Sequence, residues 1–151
     1  MAGKDKVNKI SVGNCGEYFV AAELERHGFS VAVPMSNTEL FDILAFDRTT
    51  HKQFAIQVKT TQSKKREWTL TSKNEAIKDA NVIYFFVALN DKDSPKYHIV
   101  PSRIVADDIS SGYQKWLNTP GRAGRPHKEN TIRKFKDEQE EFVDNWDAFR
   151  V

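Results

Sequence analysis

Residues 41–60 read FDILAFDRTTHKQFAIQVKT. Two apolar runs, 41–47 and 53–60, flank a short polar stretch, which predicts two strands joined tightly into an antiparallel hairpin. Side chains alternate faces along a strand, so Ile56 and Val58 point one way and Gln57 and Lys59 the other. Asp42 opens the first strand between Phe41 and Ile43. Pairing the two strands brings an acid, an amide oxygen and an ammonium to one place.

Residues 11–27 upstream read as a helix, with Ser11 or Asn14 suited to cap its start and Gly28 to end it. Cys15, Tyr18, Ala21, Ala22 and Leu24 recur at helical spacing. Glu17 precedes Ala21 by four residues and Leu24 by seven, which sets it on the inward stripe. A carboxylate there needs a metal, a lysine or hydrogen-bond donors to offset its burial. Each of these residues also suits a plainer role. Glu17 lies near a helix start, where the dipole favours acids. Asp42 can accept bonds in a turn, and Gln57 and Lys59 can form the wet face of a half-exposed strand.

Downstream, residues 29–33 predict a strand stopped by Pro34. Residues 68–70 and 97–100 predict further strands, and 72–79 a brief helix capped by Ser72. The run VIYFFVAL (82–89) is apolar on both faces and belongs inside a sheet. Residues 102–117 predict helix with a break near 110–112, and 118–130 an exposed loop carrying prolines and glycines. Phe135, Gln139, Phe142, Trp146 and Phe149 recur on one side of an expected last helix, whose other side is acidic.

With 151 residues, the chain has the length of one domain and can bury a core without disulfides. No apolar run reaches the ~20 residues that span a bilayer, and the polar start (1–9) lacks a secretory signal. A single cysteine, Cys15, makes a reducing, cytoplasmic setting the expectation. The net charge of +2 is small, but its distribution is uneven. Lys64, Lys65 and Arg66 follow the third strand, and Arg122, Arg125, Lys128, Arg133, Lys134 and Lys136 crowd residues 121–136. Such clusters suit phosphate binding or, as plainly, a solvated loop beside an acidic helix. His27, His51, His98 and His127 lack metal-ligand spacing. No GxxxxGK[ST] or GxGxxG motif is present, nor any zinc-finger or helix-turn-helix pattern.

The segment GEYFVAAELERHGF and the strands FDILAFD and QFAIQVKTT together resemble the PD-(D/E)XK nuclease-like superfamily, over residues 13–61. Glu17, Asp42 and Lys59 match its three characteristic roles. Two positions depart from the pattern: Phe41 stands where proline is usual, and Gln57 replaces the acid two residues before the lysine, as in some modification-dependent restriction enzymes of the superfamily. Glutamine keeps a carbonyl oxygen but removes one negative charge, which weakens metal binding.

The resemblance implies one α/β domain with a restriction-endonuclease-like mixed central sheet flanked by helices. A basic loop (about 118–136) and the acidic amphipathic helix follow. It also implies magnesium- or manganese-dependent phosphodiester hydrolysis, on DNA first and RNA second. Asp42, the Gln57 oxygen and the Val58 carbonyl would hold the metal, with Glu17 as a further candidate. Lys59 would steady the attacking water or the transition state. Lys64, Lys65, Arg66, Arg122, Arg125 and Lys128 are the candidate phosphate contacts. Many such nucleases cut both strands as homodimers. Loss of the acid at position 57 leaves a second expectation: a nuclease fold that binds nucleic acid or protein without cutting.

Overall fold

A computed structural model describes residues 7–38 and 40–150. Helix α1 (Lys9–Arg26) leads into strands β1 (Phe29–Ala32), β2 (Ile43–Asp47) and β3 (Gln53–Thr61). The chain continues through β4 (Glu67–Thr71), a 3-10 turn (Ser72–Ala76), β5 (Val82–Asn90), β6 (Asp93–Pro101), α2 (Ser102–Leu117) and β7 (Ile132–Lys136). The main sheet has the order β1-β2-β3-β5-β6, with β3 and β5 parallel and the other neighbours antiparallel. Strands β4 and β7 form a separate antiparallel ribbon. The fold is thus α/β, a mixed central sheet flanked by helices, as expected.

Alternation along β5 divides the core in two. Ile83, Phe85 and Val87 join Val20 and Leu24 of α1, Ile43, Ala45, Ile56 and Val58, and Phe149. Tyr84, Phe86 and Ala88 face the other way, onto Val105 and Ile109 of α2 and onto Trp68, Leu70 and Phe135 of the ribbon. Burial on both faces is what the unbroken apolar run 82–89 requires.

Several sequence expectations are corrected. Helix α1 starts two residues early, and Asn8 caps it by accepting from the Ser11 N–H at 2.9 Å. Its buried stripe is Val12, Gly16, Val20 and Leu24; Tyr18 is 68% exposed. The stripe is narrow because a glycine, silent in an apolar pattern, occupies one of its four positions. Helix α2 runs without a break, and the 3-10 turn that replaces the helix expected at 72–79 ends at Ala76.

The largest correction concerns the tail: the expected acidic helix is absent. Phe135 lies in β7, and the segment beyond it turns twice, at Glu140 (φ 55°) and Asp144 (φ 53°), before a final 3-10 turn, Trp146–Phe149. A left-handed residue stops a helix. The acids of this segment are partly used inside the fold. Asp137 is buried, bonded at 2.6 Å to the equally buried His98, and its carboxylate also accepts from the Glu141 and Phe142 N–H groups.

Candidate active site at a notch beside β3

Strand β2 stops at Ile43, opposite Ile56, while β3 runs on to Thr61. The outer edge of β3 beyond Ile56 therefore lacks a strand partner, and Asp42 fills its beginning. The Asp42 N–H donates to the Ile56 carbonyl at 2.8 Å, although Ile56 already faces Ile43, so the pairing bulges here and Asp42 sits at the strand edge instead of continuing the register. Its Oδ2 accepts from the Val58 N–H at 2.7 Å, standing in for the missing strand carbonyl. An extended residue's N–H and C=O lie on one edge, so the Val58 carbonyl points into the same notch.

Gln57 and Lys59 leave the sheet on the face opposite α1, paired across β3–β5 with Tyr84 and Phe86. Gln57 is buried, and its Nε2 donates to the Leu40 carbonyl at 2.8 Å. A carbonyl can only accept, which fixes the amide orientation and leaves Oε1 pointing away; it accepts no hydrogen bond from a described residue. Lys59 is half-buried and forms no salt bridge with a described residue. It borders a cleft of about 220 Å³ with Thr60, Thr61, Glu67, Trp68 and Thr69.

Glu17 arrives from the other side of the sheet. Gly16 is pressed onto Thr60 so closely that a β-carbon there would stand 1.7 Å from Thr60 Oγ1. This contact seats the next residue, Glu17, at the notch. The Glu17 carboxyl is held above the usual range, first by burial and then by the negative charge of Asp42. The site thus straddles the sheet edge rather than lying on one face. Two carboxylates approach each other there, and no cation of the described chain is bonded to either.

Among the described residues, no group of three or more His, Cys, Asp or Glu side chains could hold a metal ion. The oxygens at the notch are those of the Asp42 carboxylate and the Val58 carbonyl, with the Glu17 carboxyl near enough to feel Asp42. These are hard donors of the kind magnesium and manganese accept, and the unrelieved repulsion between the two acids suits a cation. The residues present fit such an ion, with one charge fewer than three carboxylates would give.

The basic candidates divide. Lys64 and Lys65 are exposed and border a second cleft, which shares Glu67 with the Lys59 cleft. Arg66 is tied to Glu140, which also holds Lys96 at 3.0 Å. Arg133 is buried, ion-paired with Glu75 and laid over the Tyr113 ring at 3.4 Å. Arg122, Arg125 and Lys128 sit in the loop after α2, at the opposite end of the β4–β7 ribbon from Lys64. Sequence reasoning missed the Gly16–Thr60 contact, for which no motif exists. It also missed the alternation in IRKFK (132–136), which puts Arg133 and Phe135 inward and Lys134 and Lys136 outward.

No family model and no curated protein matches the chain. Among solved structures, a bacterial homing endonuclease superposes with a TM-score of 0.52 at 11% identity, covering 92% of this chain and 88% of that one. A Holliday junction resolvase from Archaeoglobus fulgidus superposes with a TM-score of 0.49 at 14% identity, covering 87% and 88%. The likeness to the homing endonuclease is one of fold. No helix among the described residues is long and apolar enough to cross a membrane.

Proposed function

We propose that the chain is a metal-dependent nuclease of the PD-(D/E)XK kind, with glutamine in the place of the second acid, hydrolysing phosphodiester bonds in DNA. The observation that carries this reading is the Asp42 carboxylate fixed on the Val58 N–H at the open edge of β3, with the Glu17 carboxyl close enough to feel its charge and Lys59 the next residue along that strand. Magnesium or manganese would be held by Asp42, Gln57 Oε1, the Val58 carbonyl and Glu17. When bound, it would acidify water and neutralise charge on the phosphate. Lys59, whose ammonium has no salt-bridge partner among the described residues, stabilises the negative charge that grows on the phosphoryl oxygens. Glu17, held partly protonated to higher pH than an ordinary carboxylate by burial and by Asp42, would ionise more readily with a cation bound nearby.

The test is nicking of a supercoiled plasmid, and cleavage of a labelled RNA, with magnesium or manganese. Asp42→Asn retains an oxygen for the Val58 N–H but loses the charge, so it separates folding from chemistry. We expect Asp42→Asn and Lys59→Ala to lower cleavage by about 100-fold or more, with unfolding curves close to the parent's. Gln57→Glu should lower the metal concentration needed. Cleavage that survives both substitutions would exclude this site.

A second reading has its own support: the Gln57 amide is spent holding the 40-loop and brings no charge. Salt-sensitive DNA binding without cleavage under either metal would favour a nuclease fold that binds and does not cut.

A further inference from the structure

The β4–β7 ribbon has one face in the core and one in solvent. Trp68, Leu70, Arg133 and Phe135 are buried. The register pairs Glu67 with Lys136, Thr69 with Lys134 and Thr71 with Ile132 on the outward face. That row begins beside the candidate site, because Glu67, Trp68 and Thr69 line the same cleft as Lys59. Its near end adjoins a larger cleft of about 660 Å³ bordered by Lys64, Lys65, Arg66 and Lys136, with Glu67, Glu138 and Glu140.

The charges along this row are unequal. Lys134 bonds Glu67 at 3.1 Å, while Lys64, Lys65 and Lys136 form no salt bridge with a described residue. Glu67 is surrounded: its carboxyl is pulled below the usual range, first by the Lys134 bond and further by Lys136 and Lys65. Glu140 is already neutralised by Arg66 and Lys96, which leaves Glu138 as the other acid of the cleft. At the far end, residue 131 joins the ribbon to the loop of Arg122, Arg125 and Lys128. That loop is anchored on α2 by the Trp116–His127 stack (4.0 Å) and by the Asn130 N–H on the Tyr113 hydroxyl.

We infer that the outward face of the β4–β7 ribbon is a rail for the phosphodiester backbone of duplex DNA, running from Lys59 past Lys136 and Lys134 to the 122–128 loop. The inference rests on the nuclease reading and assigns it a substrate path. Five strand residues rise ~14 Å, and one strand of a duplex carries a phosphate each ~3.4 Å along its axis, so the row spans about four phosphates. Its outward side chains are two lysines and two threonines, with Glu67 at the near end and Ile132 at the far end, on a paired backbone. The lysines and threonines suit phosphate oxygens and carry no base-reading element.

The experiment is equilibrium binding of the full chain to a short labelled duplex and to its single strand, without metal, over a salt series. Lys134→Gln with Lys136→Gln should weaken duplex binding tenfold or more near ~0.1 M salt and reduce the slope of log affinity against log salt by about 2. Arg26→Gln, a charge removed at the far end of α1, should change neither. Glu67→Gln removes the acid from the row and should tighten binding, so the inference stays testable if the double variant unfolds.

Parent-like affinity and slope in both ribbon variants would overturn the rail while leaving the Asp42 cleavage test untouched. Tighter binding of the single strand would overturn the duplex assignment. Absence of any salt-dependent binding by the parent would overturn the rail and the nuclease reading together.

Discussion

One half of the sheet is covered twice and the other half once. Strands β5 and β6 lie between α1 with the tail on one face and α2 with the ribbon on the other, so Phe85 and Phe86 are both fully buried. Strands β1 and β2 have only the first layer. Leu44 and Phe46, pointing away from α1, remain 42% and 37% exposed. Strand β3 is the border between the halves. A strand wholly inside the closed half could carry Lys59 only with its charge paired, as Arg133 is with Glu75 there. One wholly in the open half could not hold it still. The candidate site exists where the second layer ends.

The sharpest way to break this comparison is to cut matching aromatics from the two halves. Phe86→Ala should cost about 3–5 kcal/mol in urea unfolding, whereas Phe46→Ala should stay within about 0.5 kcal/mol of the parent. Similar losses would mean that the open face is covered in solution. Next in size is the seam between α1 and β3. Gly16→Ala drives a methyl into Thr60 and should cost about 1–3 kcal/mol. Thr60→Ala in the same chain should recover most of that, and a purely additive double variant would dismiss the contact as the seat of Glu17.

The smallest effect is a matter of pH. The folded Glu17 carboxyl has a raised pKa, so folding is penalised once pH rises past the unfolded value and up through the folded one. Below that window the penalty vanishes. Apparent manganese affinity should therefore climb with pH across the same window, and Glu17→Gln should move that climb to lower pH. An unshifted titration would detach Glu17 from the cation.

The fold class and the strand faces were legible in the sequence. Alternation in QFAIQVKT sets Gln57 and Lys59 on one face and Ile56 and Val58 on the other, since a strand offers only two choices. The bulge that carries Asp42 to the strand edge leaves no sign in the pattern. Spacing predicts Glu17 on the inward stripe, but that stripe is Val12, Gly16, Val20 and Leu24; Glu17 lies beside it, half-buried, where its carboxyl feels the charge of Asp42. The tail was misread for a clear physical cause. Phe135, Phe142 and Phe149 are spaced as on a helix, but Phe135 packs in the second core cluster and Phe149 in the first. Their spacing reports a segment that passes from one layer to the other. Asp137 decides the outcome by drawing two backbone N–H groups onto its carboxylate, and no pattern in composition announces that.

The tail's route has one more consequence. As it crosses between layers it lies along β6: Ile99 donates to the Phe142 carbonyl, Asp144 to the Tyr97 carbonyl, and His98 bridges Val143. At the opposite margin β1 has four residues, and the side chains of Glu25 and Arg48 occupy the Val31 N–H and the Phe29 carbonyl. Both rims of the five-stranded sheet are thus closed to a sixth strand from outside. A second copy of this chain therefore finds no bare rim of the main sheet to extend, and a chain shortened to residue 136 would uncover the β6 rim.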